Sequence, residues 1–199
     1  ASRHAVLDFS RTTGLLLSRP MTTSELNSIL LASASLRRRR LLAGLGIPFE
    51  VVVPDVEEIA DPSIPPAASA RENAMRKNRW AVERHPGRRI LSADTVIDFE
   101  GHCIGKPGTL SEAALFLRRF SGKHHKVITA VAYSAPDRHL SSELTESDVL
   151  FRHLTDAQID AYLHAVDPLD KAGAYDIDQH GDWIVERYSG SLTNIIGLP

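Results

Sequence analysis

The sequence predicts an α/β fold in which helices pack on a mixed β-sheet. Strand-like and helix-like segments alternate along the chain, an order typical of helices that cover a sheet. Two pairs of strand-like segments resemble hairpins, which adds antiparallel pairing to the sheet. The chain has 199 residues, of which 43% are hydrophobic, so either one compact domain or two tightly joined lobes can bury a core.

The first predicted elements begin at Ile29, where the apolar pattern becomes regular. Residues 29–33 form a short apolar run typical of a buried strand, and residues 37–45 carry leucines at helical spacing. Residues 49–53 are β-branched and predict a second strand, which an acidic, proline-rich loop follows. Residues 68–84 are rich in Ala, Arg, Glu and Lys, which favours a long helix.

The later elements continue this alternation. Ser111 and Thr155 stand at cap positions with an acidic residue in the first turn, so helices are predicted over 111–120 and 155–165. The chain ends on an apolar run that is expected to continue into a packed helix, so we expect a truncated C-terminus. The remaining strand-like segments are residues 89–93, 96–99, 102–104, 127–133 and 148–151.

Composition restricts the function. Lys and Arg number 23 against 25 Asp and Glu, a formal charge of −2, so no global positive field attracts a nucleic acid. No apolar run reaches the roughly 18 residues of a membrane-spanning helix, so no membrane partner is expected. The single cysteine, Cys103, excludes an internal disulfide and a multi-cysteine zinc site. It fits a reducing compartment, and we expect a cytoplasmic protein.

Residues 1–28 stand apart from this pattern. Arg3, Arg11 and Arg19 occur among several Ser and Thr residues, a composition that faintly resembles an organelle transit peptide. We favour the alternative, a disordered leader or one added by cloning, with Met21 as a natural start. The predicted domain therefore covers residues 29–199.

The strongest candidate for phosphate binding lies where the first strand turns into a helix. Ser33, Ser35, Arg37 and Arg38 place hydroxyls and guanidinium groups at a helix N-terminus, whose free N–H groups favour anions. The alternative is that Ser35 only caps the helix and that residues 37–40 form a solvated basic face.

Three further polar segments interrupt apolar sequence. Asp94 and Thr95 lie between apolar segments, where Asp94 can activate water or hold a divalent metal; a simple turn is the alternative. Lys106, between a glycine and a proline, presents a point charge suited to a phosphate oxygen, or a surface turn. Asp170 and Lys171 precede small residues and can reach a nucleotide, or form a surface ion pair.

The common phosphate and zinc motifs do not occur in the sequence. It contains no GxxxxGK[ST], no GxGxxG and no HExxH segment. The nine histidines show no matching ligand set, so we interpret them as surface or core residues.

Six segments stand out in order along the sequence. They are Leu31-Ala32-Ser33-Ala34-Ser35-x-Arg37-Arg38, Ser92-Ala93-Asp94-Thr95, Gly105-Lys106-Pro107, Ser121-Gly122-x-x-His125-x-Val127-x-Thr129-Ala130-Val131, Asp170-Lys171-Ala172-Gly173-Ala174-Tyr175 and Asn194-x-Ile196-Gly197-Leu198-Pro199. Taken together, they resemble the motif series of the Maf proteins, and the resemblance runs from Ile29 to the end of the chain.

The resemblance implies a fold similar to the inosine triphosphate pyrophosphatases, with a mixed sheet in two lobes and the nucleotide between them. It implies hydrolysis of a nucleoside triphosphate to a monophosphate and pyrophosphate, a divalent cation such as Mg²⁺ or Mn²⁺, and a homodimer. By resemblance, Asp94 is the proton acceptor and, with Glu58, holds the metal. The positions that line the phosphate and base pocket are Ser33, Arg37, Lys77 and Lys106.

Base preference follows from three positions. Arg37 and Thr95 resemble the branch of the family that acts on dTTP and UTP. That branch has Gln where this chain has Asp178, with Gln179 next, and a carboxylate accepts hydrogen bonds but cannot donate them. The alternatives are another base preference, a nucleotide-binding regulator of cell division without turnover, and a nucleic-acid-binding module, which the net acidity disfavours.

Overall fold

A seven-stranded mixed sheet forms the centre of the structure, a computed structural model that describes residues 28–59, 61–137 and 139–199. The strand order is β2-β1-β3-β5-β6-β7, with β4 paired to β3. The strands are β1 (Ile29–Ala32), β2 (Phe49–Val52), β3 (Ile90–Phe99), β4 (His102–Ile104), β5 (His124–Ser134), β6 (Leu140–Phe151) and β7 (Val185–Ser189).

Six helices and one short 3-10 turn (Ala172–Ala174) accompany the sheet in the described part of the chain. The prediction for residues 1–28 falls outside the described residues, except for Ser28. No helix among the described residues is long and apolar enough to cross a membrane. The helices are α1 (Leu36–Gly44), α2 (Pro66–Arg84), α3 (Leu110–Phe120), α4 (Asp156–Ala165), α5 (Gly181–Ile184) and α6 (Leu192–Ile196).

The predicted mixed sheet with flanking helices is confirmed. Strands β1, β2 and the start of β3 are parallel, and every other pairing is antiparallel. Strand β3 continues through residues 90–99, where the sequence suggested two segments, and β5 pairs with residues 90–98 of it. The suggestion that Asp94 and Thr95 form a turn is therefore wrong.

The sequence pattern shortened β6 and missed α5, β7 and α6. Strand β6 begins at Leu140, well before the predicted segment 148–151, and most of its first half is only partly buried. Polar and apolar side chains hardly alternate along its first half, so the pairing with β5 is what identifies these residues as a strand. Helix α6 covers residues 192–196, so it begins before the apolar run of residues 195–199 and ends within it.

Alternation along β3 directs the core to both faces of the sheet. Ile97 and Phe99 pack in the cluster that involves α3 and α4, whereas Val96 packs against Ala70 and Ala74 of α2. Asp94 is an even-numbered position like Val96, so it points toward α2, and Thr95 points toward the opposite face. The same strand thus supplies polar groups to both sides.

Candidate functional site

The candidate site lies at the carboxyl ends of β1 and its two parallel neighbours, where the strand order reverses, and we call this opening the crevice. The chain passes from β1 to β2 through α1 and returns from β2 to β3 through α2, so β1 stands between its two parallel partners. Such a switch point leaves an opening at the carboxyl ends of the strands, where α/β proteins bind ligands. Ser33 follows β1 at this edge, and Glu58 lies in the loop after β2.

One side of β3 is left open beside this crevice. β1 pairs with residues 90–92 of β3, and β4 pairs with residues 97–99 on the same strand. Within the described residues, 93–96 have a strand partner only in β5. Asp94 and Thr95 occupy this open stretch, so continuous strand geometry holds them rigidly at the crevice.

Asp94 and Glu58 converge on one buried ammonium group. Lys77 Nζ of α2 lies 2.6 Å from Asp94 Oδ1 and 2.6 Å from Glu58 Oε1. Lys77 and Asp94 are 8% and 6% exposed, whereas the Glu58 side chain is 49% exposed. The predicted metal ligands are therefore brought together with a predicted substrate-binding lysine between them.

Electrostatics keep Glu58 ionised. Burial acts to raise the pKa of the Glu58 carboxyl, but Lys77, Lys106 and Arg38 outweigh it, so the pKa lies below its ordinary value. The side chain of Lys106 is exposed, and its charge acts on Glu58 from the loop after β4. Four of the predicted site residues thus share one electrostatic environment.

Asn73 fixes this arrangement and was missed by the sequence. Its Oδ1 accepts a hydrogen bond from Ile59 N at 2.7 Å, and its Nδ2 donates to Ile59 O and to Asp94 Oδ2, each at 3.3 Å. The loop that carries Glu58 is therefore tied to the strand that carries Asp94. Asparagine is unfavourable inside a helix, but an exposed asparagine looks the same in the sequence, so the local pattern does not reveal this function.

Arg38 is the second buried cation of the crevice. The side chain donates from Nε to Gly197 O at 2.8 Å, from one terminal nitrogen to Ser33 Oγ at 3.3 Å and from the other to Thr95 Oγ1 at 2.9 Å. Burial lowers the pKa of Arg38, against the opposing attraction of Asp94. The solvated basic face proposed as an alternative is wrong for this residue.

The hydroxyls at the start of α1 are partly used within the protein. Ser35 caps the helix, because its Oγ accepts a hydrogen bond from Arg38 N at 3.4 Å. Ser33 is 3% exposed, and its Oγ accepts from Ser35 N at 3.2 Å as well as from Arg38. Both serines line the turn from β1 into α1, as predicted from their position.

A chain of hydrogen bonds joins Thr95 to the C-terminal helix. Thr95 Oγ1 lies 2.9 Å from Thr129 Oγ1 of β5, which donates to Asn194 O at 3.0 Å. Asn194 Nδ2 in turn donates to Val127 O at 3.0 Å. Gly197, with φ of +123°, turns its carbonyl to Arg38, and a Cβ there would lie 3.2 Å from Thr95 Oγ1.

The remaining predicted residues surround this centre less tightly. Lys171 is 5% exposed and donates to Asp167 O and Asp170 Oδ1, each at 2.5 Å, so its described contacts lie within its own loop. That loop is linked to the Lys106 loop, because Gly173 N donates to Gly105 O at 2.9 Å.

Asp178 and Gln179 are exposed. Partial desolvation of the Asp178 carboxyl and then the charge of Asp176 raise its pKa, against Arg37 and Arg40.

Comparison with known proteins gives the family. The Maf-like protein family matches residues 28–199. A dTTP/UTP pyrophosphatase of Akkermansia muciniphila is 40% identical over 171 residues, covering 86% of this chain and 90% of that protein. One from Symbiobacterium thermophilum is 40% identical over 174 residues, covering 87% and 89%.

Among solved structures, the Ham1 protein of Staphylococcus aureus matches with a TM-score of 0.48 and 15% identity, covering 77% of this chain and 89% of that chain. At that score the likeness carries no conclusion about activity. The relatives align over 171 and 174 residues and the family match covers residues 28–199, so the predicted resemblance is confirmed. The chain belongs to the Maf-like protein family.

Proposed function

We propose that this protein hydrolyses dTTP and UTP to the nucleoside monophosphate and pyrophosphate, with Asp94 as the proton acceptor. The observation that carries the proposal is Asp94 itself, a carboxylate 6% exposed in the open stretch of β3, which shares Lys77 with Glu58. The names of the two relatives support the substrate class.

The crevice offers positive charge to a triphosphate from several directions. Arg37 and Arg38 lie in the first turn of α1, whose N-terminus adds free N–H groups, and Lys106 lies on the opposite loop. Cations placed around phosphate oxygens stabilise the charge that develops when the bridging bond breaks. Ser33 and Ser35 add hydroxyls at the same turn.

The carboxylates fit a divalent cation that is shared with the substrate. Asp94 and Glu58 already converge on one positive group, and both offer the oxygen ligands that Mg²⁺ and Mn²⁺ prefer. Among the described residues there is no group of three His, Cys, Asp or Glu able to hold a metal. Mg²⁺ is commonly held by one or two carboxylates together with substrate phosphates, where its charge offsets that of the triphosphate.

The proposed reaction transfers one proton, forms one bond and breaks another. Asp94 accepts a proton from the attacking water, whose oxygen forms a new bond to the α-phosphorus. The bond from that phosphorus to the oxygen bridging the β-phosphorus breaks, and pyrophosphate leaves with the electron pair. Asn73 and Lys77 orient the Asp94 carboxylate through its two oxygens.

For base recognition we propose Thr95, Arg37 and the rim formed by Asp178 and Gln179. The Thr95 hydroxyl is held by Arg38 and Thr129, so its position is fixed before a ligand binds. Asp178 can accept a hydrogen bond from the ring N–H of uracil or thymine, but it cannot donate to their carbonyls. We propose Asp170 and Lys171 as outer contacts that shape the loop beside Lys106.

The test is pyrophosphate release from dTTP, UTP, CTP, GTP and 7-methyl-GTP, with Mn²⁺ or Mg²⁺ present and with EDTA as the control. We expect metal-dependent release that is fastest with dTTP and UTP. Release led by another nucleotide would contradict the base preference alone. Binding of nucleotides without release from any of them would contradict the enzyme and favour a regulator.

A further inference from the structure

Asp176 is a buried carboxylate that lies beside Arg37 at the crevice. The Asp176 side chain is 3% exposed, and its Oδ2 lies 3.5 Å from a terminal nitrogen of Arg37. A carboxylate removed from water is costly unless a cation pairs with it, so Arg37 is the counter-charge of Asp176. The Arg37 side chain is 26% exposed, so part of it stays accessible to a ligand.

Asp176 is itself held from three directions. Its backbone N donates to the hydroxyl of Tyr162 at 2.9 Å, and that hydroxyl donates to Asp176 O at 3.2 Å. Its Oδ1 accepts from Asp178 N at 3.0 Å. Tyr162 is fully buried. The carboxylate therefore has one fixed orientation, and it constrains the guanidinium beside it.

Arg37 occupies the second position of α1, next to the buried Arg38. Arg38 is buried and donates from each of its three nitrogens to a neutral oxygen of the protein, so Arg37 is the more accessible guanidinium of the two. A guanidinium has five N–H donors, and only one of the terminal nitrogens of Arg37 lies beside Asp176. When the Arg37 guanidinium is fixed before a ligand arrives, less conformational entropy is lost on binding.

We propose that Asp176 is a positioning residue, which holds the Arg37 guanidinium at the crevice so that Arg37 binds the nucleotide. This rests on the proposed function for the identity of the ligand. The opposite arrangement is competition, in which Asp176 neutralises Arg37 and weakens its contact with a negatively charged substrate. The two arrangements predict opposite changes when the carboxylate is removed.

A double-mutant cycle tests the proposal with Asp176→Asn, Arg37→Met and the double variant. With Mn²⁺ and dTTP, Asp176→Asn should raise KM about tenfold and change kcat less than about threefold, the range expected for contacting residues. In the Arg37→Met background the same change should alter KM by less than about twofold, because the group that it positions is gone. A lower KM, or an equal effect in both backgrounds, would overturn the proposal.

Two further variants separate positioning from folding. Asp176→Ser keeps an oxygen that can accept from Asp178 N but removes the charge beside Arg37, and it should raise KM like Asp176→Asn. Asp182→Asn removes an exposed carboxylate from α5 and should leave KM unchanged. Loss of the fold in both Asp176 variants would assign this residue a structural function and overturn the proposal.

A failure of the proposed function is recognised separately. If the unsubstituted protein releases no pyrophosphate, the cycle is repeated on the rise in Tm that dTTP with Mn²⁺ causes, since a ligand stabilises the state that it binds. Asp176→Asn should then reduce that rise only when Arg37 is present. If dTTP causes no rise in the unsubstituted protein, Arg37 receives no such nucleotide and the proposal fails too.

Discussion

Lys77 and Arg38 are two cations buried to the same extent on opposite sides of one crevice, at 8% and 9% exposure. Lys77 lies between two carboxylates, each 2.6 Å from its nitrogen. Arg38 donates instead to two hydroxyls and a carbonyl. The crevice therefore has one wall where carboxylates outnumber the cation and another where positive charge is in excess.

This asymmetry suits a ligand that carries both signs of charge. The wall with Asp94 and Glu58 favours a divalent cation, and the wall with Arg37 and Arg38 favours phosphate oxygens. A nucleoside triphosphate with a bound divalent cation presents both. Lys77 thus stabilises two carboxylates in the absence of a metal ion, whereas Arg38 holds three segments of the chain together.

The largest loss of stability is expected for Lys77→Met. It leaves Asp94 and Glu58 without their shared counter-charge, and the free energy of unfolding should fall by about 3 kcal/mol, the lower end for a broken buried pair, because Glu58 stays in contact with water. The kcat for dTTP should fall about a hundredfold. Chemical denaturation and pyrophosphate release measure the two effects.

Mn²⁺ sharpens this first prediction. The pKa of Glu58 should rise toward its ordinary value without Lys77, and Mn²⁺ should raise the Tm of the variant more than that of the unsubstituted protein, because it replaces the missing charge. Arg76→Met removes an exposed cation one residue earlier and serves as the control. Equal Mn²⁺ responses in all three proteins would contradict the assignment of these carboxylates to a metal.

A smaller loss of stability is expected for Arg38→Met. Ser33, Thr95 and the Gly197 carbonyl each lose a donor, and the free energy of unfolding should fall by about 2 kcal/mol. The KM for dTTP should rise, because the turn from β1 into α1 and the C-terminal segment lose the side chain that joins them. In contrast to Lys77→Met, Mn²⁺ should raise the Tm of Arg38→Met no more than that of the unsubstituted protein. A larger rise would remove the distinction between Lys77 and Arg38.

Gly197→Ala tests the contact between the C-terminal turn and Arg38. The φ of +123° is strained for alanine, and the new Cβ would lie 3.2 Å from Thr95 Oγ1, so we expect a loss of about 1.5 kcal/mol and a higher KM. Gly87→Ala is the matched control, with φ of +76° and no atom within 4 Å of the new Cβ. It should lower stability without changing KM. A shift in KM for both variants would show that strain alone is responsible.

The smallest effect is expected for Thr129→Val. It removes the hydroxyl between Thr95 and Asn194 while keeping the shape, at a cost of about 1 kcal/mol in the free energy of unfolding. The control is Thr145→Val, at the half-buried position of β6 that pairs with Thr129, and it should change the free energy of unfolding by less than about 0.5 kcal/mol. Thermal unfolding of both variants measures the difference, and equal losses would exclude a specific function for this hydroxyl.

Local pattern predicted the parts of the site that local structure creates. The turn from a buried strand into a capped helix located Ser33, Ser35, Arg37 and Arg38, because caps and apolar periodicity act over a few residues. The polar insertion at Asp94 was found for the same reason. Its position inside a continuous strand was missed, since the pairing with β5 that holds it there is not visible in the local sequence.

The remaining site residues depend on contacts between distant parts of the chain. Asn73 meets Asp94 across 21 residues, and Thr129 meets Asn194 across 65. Asp176 lies beside Arg37, which belongs to the first helix. Nothing in the composition around these residues distinguishes a buried hydrogen-bonding group from an exposed one, so only the folded arrangement identifies them.

The most direct measurement of the central claim compares Asp94→Asn with Asp148→Asn, an exposed carboxylate on β6, in release of pyrophosphate from dTTP with Mn²⁺. We predict that Asp94→Asn keeps a cooperative thermal transition and loses about a thousandfold in kcat, the contribution typical of a general base. Asp148→Asn should retain full activity. Full activity in Asp94→Asn would contradict the assignment of Asp94 as the proton acceptor.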